Sequence, residues 1–204
     1  MSRNRHPHVM SGHLHRHWRR AALSVALLSI TLVTPSAHAG LESDVDEAAV
    51  QAAFVFNFAR FTEWPTSAFS GKTSPLNHCL FGQREALAHA LGKLSERPVQ
   101  GHPLRFIQID RLEDLKSCQL VFMAEPDIKR RAQALQALLG QPTLTVSDLD
   151  GFAREGGMIG LMRVGTRLRF EINRAQSQKA GLRLAADLLN LATSIVEADT
   201  GGNR

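Results

Sequence analysis

Thiol chemistry is the first chemistry that this 204-residue chain could carry, because it contains two cysteines, Cys79 and Cys118. An even number of cysteines in an exported protein favours a disulfide bridge over free thiols. Closing a loop of about 40 residues would stabilise the fold by roughly 4 kcal/mol, since it lowers the chain entropy of the unfolded state. Two alternatives remain. One is a bridge that reports the redox state of its compartment, and the other is a catalytic redox pair, which the lack of a Cys-x-x-Cys spacing disfavours.

Other reactive combinations are weak in this sequence. Beyond residue 39 the only histidines are His78, His89 and His102, and their spacing matches no zinc-binding pattern. His78 could lower the pKa of a neighbouring thiol. Glu171, at the end of a predicted strand, could bind a ligand, although a carboxylate there more often pairs with an arginine. The sequence contains no Gly-x-Ser-x-Gly and no glycine-rich phosphate loop. We therefore predict no catalytic residues, no metal site and no cofactor.

A high density of aromatic residues marks one segment of the chain. Five of the eleven aromatic residues beyond residue 39 fall in one eleven-residue window, and they are Phe54, Phe56, Phe58, Phe61 and Trp64. On a helix, Phe54, Phe58 and Phe61 form one apolar stripe that Val50 extends. Phe56 lies off this stripe, so we expect a helix that is covered on two faces. Pro65 is expected to end this helix near Trp64.

Two interpretations of this aromatic segment are open. Burial under a sheet would explain its aromatic side chains without any further role. Alternatively, Asn57, Arg60, Glu63 and Trp64 line a site for a partner protein or a small molecule. These four residues, together with Glu171, are the binding residues that the sequence predicts.

The first 39 residues have the composition of an export signal. Residues 1–20 contain five arginines, five histidines and no acids, and the thirteen residues 21–33 contain nothing more polar than serine and threonine. Ala37 and Ala39 then supply the small residues of an Ala-x-Ala cleavage site before Gly40. The apolar run is too short to span a bilayer, which takes about 20 residues. We therefore predict cleavage after Ala39 and export, to a bacterial periplasm.

Removal of this signal changes the class of partner that charge suggests. The whole chain has 24 Lys and Arg against 19 Asp and Glu, a formal net charge of +5. All five surplus cations lie in residues 1–39, so the predicted mature chain is neutral. Nucleic-acid binding depends on a basic surface, and we therefore predict no nucleic-acid partner. A neutral chain is expected to make largely apolar contacts that resist moderate salt.

The apolar pattern beyond residue 45 alternates between helix and strand periods. Helices are predicted at about 46–63, 84–94, 127–139 and 174–197, with a short helical turn at 112–116. Strands are predicted at 76–82, 104–109, 120–123, 142–146, 158–162 and 167–172, and the last two flank a turn at 163–166. Asn173 is a suitable N-cap, Asp127 is expected inside a first helical turn, and Gly156 and Gly157 are expected to supply a turn with positive φ.

Strands that alternate with helices imply a largely parallel sheet covered on both faces. We therefore predict a single-domain α/β three-layer sandwich, with a mixed, mostly parallel sheet and helices on both faces. A C-terminal antiparallel hairpin and a long last helix complete the prediction. The domain would span residues 40–204, with its core at about 47–197, after a signal peptide at 1–39.

Several segments occur together in a recognisable order and spacing. They are 54–65, 118–122, 143–148, 156–159 and 169–173, accompanied by the two cysteines, a strand that ends at Gly82 and a leucine-rich last helix. In this combination the sequence resembles the YfiR-like family of small periplasmic proteins. The resemblance covers about residues 47–197.

The resemblance implies a periplasmic α/β domain without catalysis. The best understood members of that family repress an inner-membrane diguanylate cyclase by binding its periplasmic sensor domain, and relatives are thought to serve other sensors, including histidine kinases. By this resemblance the chain would lower cyclic di-GMP and biofilm formation through protein–protein contact. Some members carry a second cysteine pair, which this chain lacks.

We therefore predict a non-enzymatic periplasmic regulator that forms a homodimer and that an outer-membrane protein can sequester. One alternative is a periplasmic small-molecule carrier with a pocket at the aromatic helix. The other alternative is an envelope thiol oxidoreductase that uses the two cysteines.

Overall fold

The computed structural model describes residues 38–196, with side chains from residue 46 onward. The predicted signal peptide, apart from residues 38 and 39, and the end of the last predicted helix at residue 197 lie outside the described residues. The helices are α1 (His38–Arg60), α2 (Glu85–Gly92), α3 (Ile128–Ala137), α4 (Arg174–Lys179) and α5 (Ala186–Leu191), with 3-10 turns at Thr66–Ala68 and Leu112–Ser117. The strands are β1 (Thr62–Glu63), β2 (Leu76–Phe81), β3 (Pro98–Val99), β4 (His102–Ile109), β5 (Leu120–Met123), β6 (Leu144–Ser147), β7 (Ile159–Val164), β8 (Arg167–Asn173), β9 (Arg183–Leu184) and β10 (Ser194–Val196).

Eight of these strands form one sheet in the order β10-β8-β7-β6-β5-β2-β4-β3, and β1 pairs with β9 in a separate ladder. The strands from β4 to β7 in this order run parallel, and β7 and β8 form an antiparallel hairpin. In the parallel part, β2 lies between β4 and β5, so the chain reverses its direction of travel across the sheet there. Open α/β sheets commonly bind ligands at the carboxyl ends of the strands beside such a reversal.

The central strands are buried on both faces, as parallel strands usually are. On β5, Leu120 and Phe122 belong to the core under α1 and α2, whereas Val121 and Met123 belong to a second core under α3. Because successive side chains of a strand point to opposite faces, an uninterrupted apolar run serves both cores. The predicted three-layer α/β fold with a mixed, mostly parallel sheet is confirmed.

Helix α1 buries a different stripe from the one predicted. Small residues at sheet-facing positions, Ala52 and Ala59, are buried together with Val55 and Phe58, whereas Val50 is 46% exposed. The small side chains let the helix axis lie close to the sheet. Burial against the sheet therefore selects the alanine-containing face, which a search for large apolar residues overlooks.

Two aromatic side chains of α1 pack against strand β8. The rings of Phe54 and Phe58 lie 6.1 Å and 5.1 Å from the ring of Phe170 on β8, in edge-on arrangements, which aromatic pairs favour. The helix also ends earlier than predicted, at Arg60 rather than near Trp64. It ends there because the next residues form β1, which pairs with β9.

The predicted long helix at 174–197 is wrong. The segment forms α4, β9, α5 and β10 in succession. Gly181 adopts a φ of +69° and ends the first helical stretch, and the β-branched residues Thr193, Ile195 and Val196 favour the final strand. The N-cap prediction at the start of this segment is confirmed, because Oδ1 of Asn173 accepts a hydrogen bond from the backbone N–H of Gln176 at 3.1 Å.

Local features elsewhere follow the sequence closely, with one correction. Asp127 precedes α3 as its N-cap and accepts from the N–H of Arg130 at 2.7 Å, so it is not inside the first turn. Gly156 has the positive φ expected of it, at +105°. The hairpin of β7 and β8 is present as predicted, with a two-residue connection at residues 165–166.

Candidate functional site

A surface pocket lies at the edge of the sheet where the parallel strands begin. Its volume is about 540 Å³, and we call it the amino-edge pocket. The residues that line it are Arg60, Phe61, Glu63, Trp64, Gln100 and Ala185. They come from the end of α1 and β1, from the turn between β3 and β4, and from the residue before α5. Three of the predicted binding residues, Arg60, Glu63 and Trp64, are thus brought together.

Hydrogen bonds at the end of α1 shape one wall of this pocket. The hydroxyl of Thr62 donates to the carbonyl oxygen of Phe58 at 2.7 Å. This bond satisfies one of the last carbonyls of the helix, which have no intrahelical partner. The N–H of Ala185 donates to the carbonyl oxygen of Phe61 at 2.9 Å. The chain therefore leaves the helix abruptly and enters β1 beside the segment that precedes α5.

Two side chains fix the other walls to backbone groups. The indole Nε1 of Trp64 donates to the carbonyl oxygen of Gln119 at 3.0 Å. The side-chain amide of Gln100 donates to the carbonyl oxygens of Thr62 and Arg60, in the latter case at 3.3 Å. The pocket is consequently held by bonds to β1, to the end of α1 and to the start of β5.

The amino-edge pocket carries charged groups of both signs. Glu63 forms an ion pair with Arg183, its direct neighbour across the β1–β9 ladder. Arg60 occupies the last turn of α1, where the helix dipole favours a cation. Among the described residues, no carboxylate lies within 4.0 Å of the Arg60 guanidinium. The pocket thus combines a guanidinium, an indole, an amide and the ion-paired carboxylate of Glu63.

Arg60 also borders a second depression, of about 470 Å³, which we call the α1/α2 groove. Its lining residues are Ala49, Ala52, Ala53, Phe56, Asn57, Arg60, Ala86, His89, Ala90, Lys93, Leu94 and Arg97. The predicted binding residue Asn57 lies in this groove and not in the amino-edge pocket. The groove also contains the basic residues His89, Lys93 and Arg97, which were not predicted as binding residues. His89 lies in α2, Lys93 directly follows it and Arg97 precedes β3, so no single helical spacing connects them.

Glu171 stands apart from both depressions. It is buried in β8, at 2% exposure, and its Oε2 lies 3.4 Å from Nη2 of Arg154. A pairing with arginine was the alternative to ligand binding for this residue. The structure therefore places four of the five predicted binding residues around α1 and its end, and Glu171 in an ion pair elsewhere.

The two cysteines form the predicted disulfide. Cys79 in β2 and Cys118 before β5 are bridged, with their Cα atoms 6.0 Å apart. Both residues are buried in the core under α3, at 0% and 2% exposure. Labile and catalytic disulfides are typically strained or exposed, so the burial of this bridge favours a structural role.

His78 does not act on the sulfur beside it in sequence. Its ring belongs to the opposite side of β2, where Nε2 lies 3.1 Å from the carbonyl oxygen of Leu91. A carbonyl oxygen can only accept a hydrogen bond, so Nε2 carries the proton of the neutral ring. Nδ1 is buried without a hydrogen-bond partner among the described residues. Burial lowers the pKa of His78, and the hydrogen bond to Leu91 opposes this only in part.

The opposite, carboxyl edge of the sheet is filled by the protein itself. Gly82, which follows β2 with a φ of +103°, lies so close to the next strand end that a Cβ there would be 2.7 Å from the carbonyl carbon of Ala124. Arg84 and Asp148 form an ion pair beyond β2 and β6. The fully buried Gln51 of α1 donates to Asp148 at 2.8 Å and accepts from Arg84 at 3.1 Å.

No group of three or more His, Cys, Asp and Glu side chains within residues 38–196 is arranged to hold a metal ion. In the same part of the chain, no helix has both the length and the apolar character needed to cross a membrane.

Two solved structures show a loose likeness to this chain. The first is an ABC domain in complex with L-Trp from Streptococcus pneumonia, at 9% identity and a TM-score of 0.46, covering 73% of this chain. The second is a conserved domain protein from Vibrio cholerae O1 biovar El Tor, at 12% identity and a TM-score of 0.41, covering 59% of this chain. This chain spans 60% of the first structure and 55% of the second. Likeness at this level supports no argument about function.

A family model gives a direct result. The model described as YfiR/HmsC-like matches residues 48–193. This range runs from the first buried alanine of α1 to the residue before β10, and it includes both depressions, the disulfide and the whole parallel sheet. Because the match covers well over half of the chain, the protein belongs to the YfiR/HmsC-like family.

Proposed function

We propose that this protein binds the periplasmic sensor domain of an inner-membrane diguanylate cyclase and represses the synthesis of cyclic di-GMP. The observation that carries the proposal is the family match over residues 48–193. At the level of the family, YfiR-like proteins are periplasmic regulators of diguanylate cyclases and do not catalyse a reaction. A histidine kinase is the second class of membrane sensor to which the same scheme applies.

The site geometry is consistent with a binding role. The amino-edge pocket and the α1/α2 groove are neighbouring depressions, because Arg60 lines both. Neither depression presents a nucleophile next to a base. A surface of this kind supports recognition of another molecule, which is what a regulator requires.

Regulation requires two states with different affinities for an input. In the scheme we propose, the protein keeps the sensor inactive while it is bound to it. An input that has a higher affinity for the unbound protein than for the protein–sensor complex releases the sensor. An outer-membrane protein that sequesters the free protein is such an input. The buried disulfide makes redox release a weaker option, because reductants have poor access to it.

Export is part of the proposal. We expect removal of residues 1–39, with Gly40 as the new N-terminus. Mass spectrometry of protein isolated from the periplasm checks this, and a periplasmic product that retains residues 1–39 would contradict it. We also expect a homodimer, which sedimentation at several protein concentrations would distinguish from a monomer.

Deletion of the gene tests the regulatory role. Cyclic di-GMP and surface attachment should rise in the deletion strain and return to the parental level when the wild-type gene is restored. In parallel, the tagged protein should recover a sensor from detergent-solubilised inner membranes. Unchanged cyclic di-GMP and unchanged histidine-kinase outputs, together with recovery of no membrane sensor, would sink the proposal.

A second candidate is a periplasmic small-molecule carrier. The 540 Å³ amino-edge pocket favours it, because this volume lies within the usual range for ligand pockets. A carrier should copurify with a ligand, visible by native mass spectrometry and lost on replacement of Trp64 by alanine. Ligand-free protein that still represses the sensor would exclude the carrier as the main function.

A further inference from the structure

The α1/α2 groove concentrates positive charge, although the predicted mature chain has a formal net charge of zero. Four basic residues, Arg60, His89, Lys93 and Arg97, and no acidic residue are among those that line it. Within the described residues, no carboxylate lies within 4.0 Å of the charged atoms of Arg60, Lys93 or Arg97. Seven of the thirteen arginines of the described chain do form such ion pairs. The groove therefore contains cations that the protein itself leaves without acidic partners.

Two of these cations converge on one aromatic ring. The guanidinium carbon of Arg97 lies 4.1 Å from the centroid of the Phe56 ring, and that of Arg60 lies 5.9 Å from it. A guanidinium within about 6 Å of an aromatic ring is attracted to its face. Phe56 thus positions two like charges near each other, and an anionic group between them would relieve their repulsion.

The floor of the groove is apolar and shallow. Five alanines line it: the exposed Ala49 and Ala53 and the buried Ala52 of α1, with the half-buried Ala86 and Ala90 of α2. Residues 49–60 span about 16 Å along α1 at 1.5 Å per residue. Because methyl side chains project little, another backbone could approach closely along this length, which corresponds to about three turns of a helix.

We propose that the α1/α2 groove docks an acidic amphipathic helix of the sensor's periplasmic domain. The apolar face of that helix would lie on the alanine floor, and its Asp and Glu side chains would pair with Arg60, Lys93 and Arg97. This inference rests on the proposed function, since it names the part of the sensor that is recognised. It also replaces the expectation of a salt-resistant contact, because a neutral chain can still present a locally basic groove.

An extended helix fits the groove better than a single small anion or a lipid headgroup. Arg60 and Arg97 lie at the Phe56 ring, whereas His89 lies within α2 and Lys93 directly follows it, so the four basic residues do not all surround one point. The alanines that line the same groove favour apolar surface on the ligand. An acidic amphipathic helix supplies both features along one direction.

A peptide titration tests the groove without knowledge of the sensor. The probe is a synthetic amphipathic peptide of about 15 residues, close to the length at which an isolated helix becomes stable, with leucine on one face and glutamate along its borders. Its matched control has glutamine in place of every glutamate. Binding to the exported protein is followed by fluorescence anisotropy, and NMR shift changes should cluster in residues 49–60 and 86–97.

Variants of the protein separate the contribution of charge to peptide affinity from the contribution of groove shape. The double variant Lys93→Glu with Arg97→Glu should weaken binding of the glutamate peptide by about tenfold, the size expected when two surface ion pairs are replaced by repulsion. Ala53→Trp should weaken the binding of both peptides, because the indole would fill the exposed floor of the groove. The control is Lys129→Glu with Lys179→Glu, which makes the same charge change on α3 and α4, outside the groove, and should leave affinity unchanged. Melting curves confirm that each variant is folded.

Salt dependence and lipid binding test the groove proposal further. Affinity for the glutamate peptide should fall as salt shortens the screening length from about 30 Å at 0.01 M to about 8 Å at 0.15 M. Equal binding of the glutamate and glutamine peptides would overturn the proposal. Tight binding to phosphatidylglycerol vesicles, lost in the groove double variant while the peptide does not bind, would also overturn it in favour of a lipid headgroup.

The same variants separate this proposal from the regulatory one. If wild-type protein recovers a sensor from membranes and the groove double variant recovers it equally well, the groove proposal fails and the regulatory proposal stands. If wild-type protein recovers no sensor, the regulatory proposal fails, while the peptide titration still decides whether the groove accepts acidic helices.

Discussion

The carboxyl edge of the parallel sheet is closed by the protein's own residues, whereas the amino edge is open. At the carboxyl edge, the backbone of Gly82 packs against Ala124, and the Arg84–Asp148 pair covers the strand ends. The crevice that commonly binds ligands in open α/β sheets is therefore closed. At the amino edge, α1 ends early at Arg60, and an open pocket remains beside it.

This contrast shows that topology alone does not locate the binding surface of an α/β protein. The strand order provides a crevice at β2 and β5, but one glycine and one half-buried ion-pair cluster fill it. The end of α1 and the groove beside α2 offer open surface in its place. Function is therefore better inferred from the residues at each edge than from the fold.

Loss of the disulfide is the largest expected change, and it should affect the amino edge most. Cys118→Ser should lower the free energy of unfolding by about 4 kcal/mol, because the unfolded chain regains the entropy of a loop of about 40 residues. Gln119, which accepts from Trp64, is adjacent to the lost bridge. Hydrogen exchange should therefore accelerate more at residues 119–120 than at 123–124. Equal acceleration at both edges, or two thiols that titrate in the native wild-type protein, would contradict this account.

A methyl group at the closed crevice should have the next largest effect. Gly82→Ala should cost about 3 kcal/mol, since it adds a backbone overlap to the strain of a positive φ. The matched control is Gly101→Ala at the amino edge, where φ is +88° and nothing lies within 4 Å of the added Cβ. That variant should show only the conformational cost, about 1 kcal/mol. Similar losses in chemical denaturation would mean that the crevice is not tightly closed.

Removal of the half-buried carboxylate of Asp148 should destabilise the carboxyl edge moderately. Asp148→Ala leaves the fully buried side chain of Gln51 without its acceptor and should cost about 2 kcal/mol. Asp148→Asn retains an acceptor for Gln51 and should cost less. Glu113→Gln is the control, because Glu113 belongs to an exposed pair with Arg111 and should leave the melting temperature unchanged. A loss after Glu113→Gln equal to that of Asp148→Ala would mean that burial of the cluster is unimportant.

The smallest expected effect is a pH dependence that originates near the amino edge. Burial depresses the pKa of His78 below its ordinary 6.5, so above pH 6.5 the ring is neutral in both folded and unfolded states. As pH falls below 6.5, the unfolded state binds a proton first, and stability is lost until the folded pKa is reached. His78→Gln should therefore flatten the decline of the melting temperature between about pH 7 and pH 5. His89→Gln, at an exposed histidine, should retain the wild-type slope, and an equal slope for both variants would contradict the role of His78.

The strong local patterns in the sequence predicted the parallel core well. The buried strand at Leu120–Met123 and the pairing of Cys79 with Cys118 were both found as expected. These features carry signals within a few residues, such as an apolar run or an even cysteine count. The placement of Arg60, Glu63 and Trp64 in one pocket also followed from local spacing, whereas their role stays a prediction.

Features that depend on distant pairing could not be predicted in this way. Strands β1 and β9 have two residues each, and so short a segment has no period to detect. Leucines at helical spacing predicted one long terminal helix, but pairing of β9 with β1 and of β10 with β8 divides it. The basic side of the α1/α2 groove was missed because its charge balances in the total, and only packing shows where the cations gather.

Because β1 and β9 are far apart in the chain, the β1–β9 ladder can form only after most of the chain has been synthesised. Glu63 and Arg183 are 120 positions apart in the chain, so the wall that they form requires almost all of the chain to be synthesised. At about 5–20 residues per second, the segment at the end of α1 waits roughly 6–24 s for its partner strand. A nascent chain that has finished β6 already holds the parallel core and the disulfide cysteines, yet it lacks Ala185 and β9. The amino-edge pocket is therefore a late product of synthesis, and a ligand that requires it would distinguish finished molecules from partial ones.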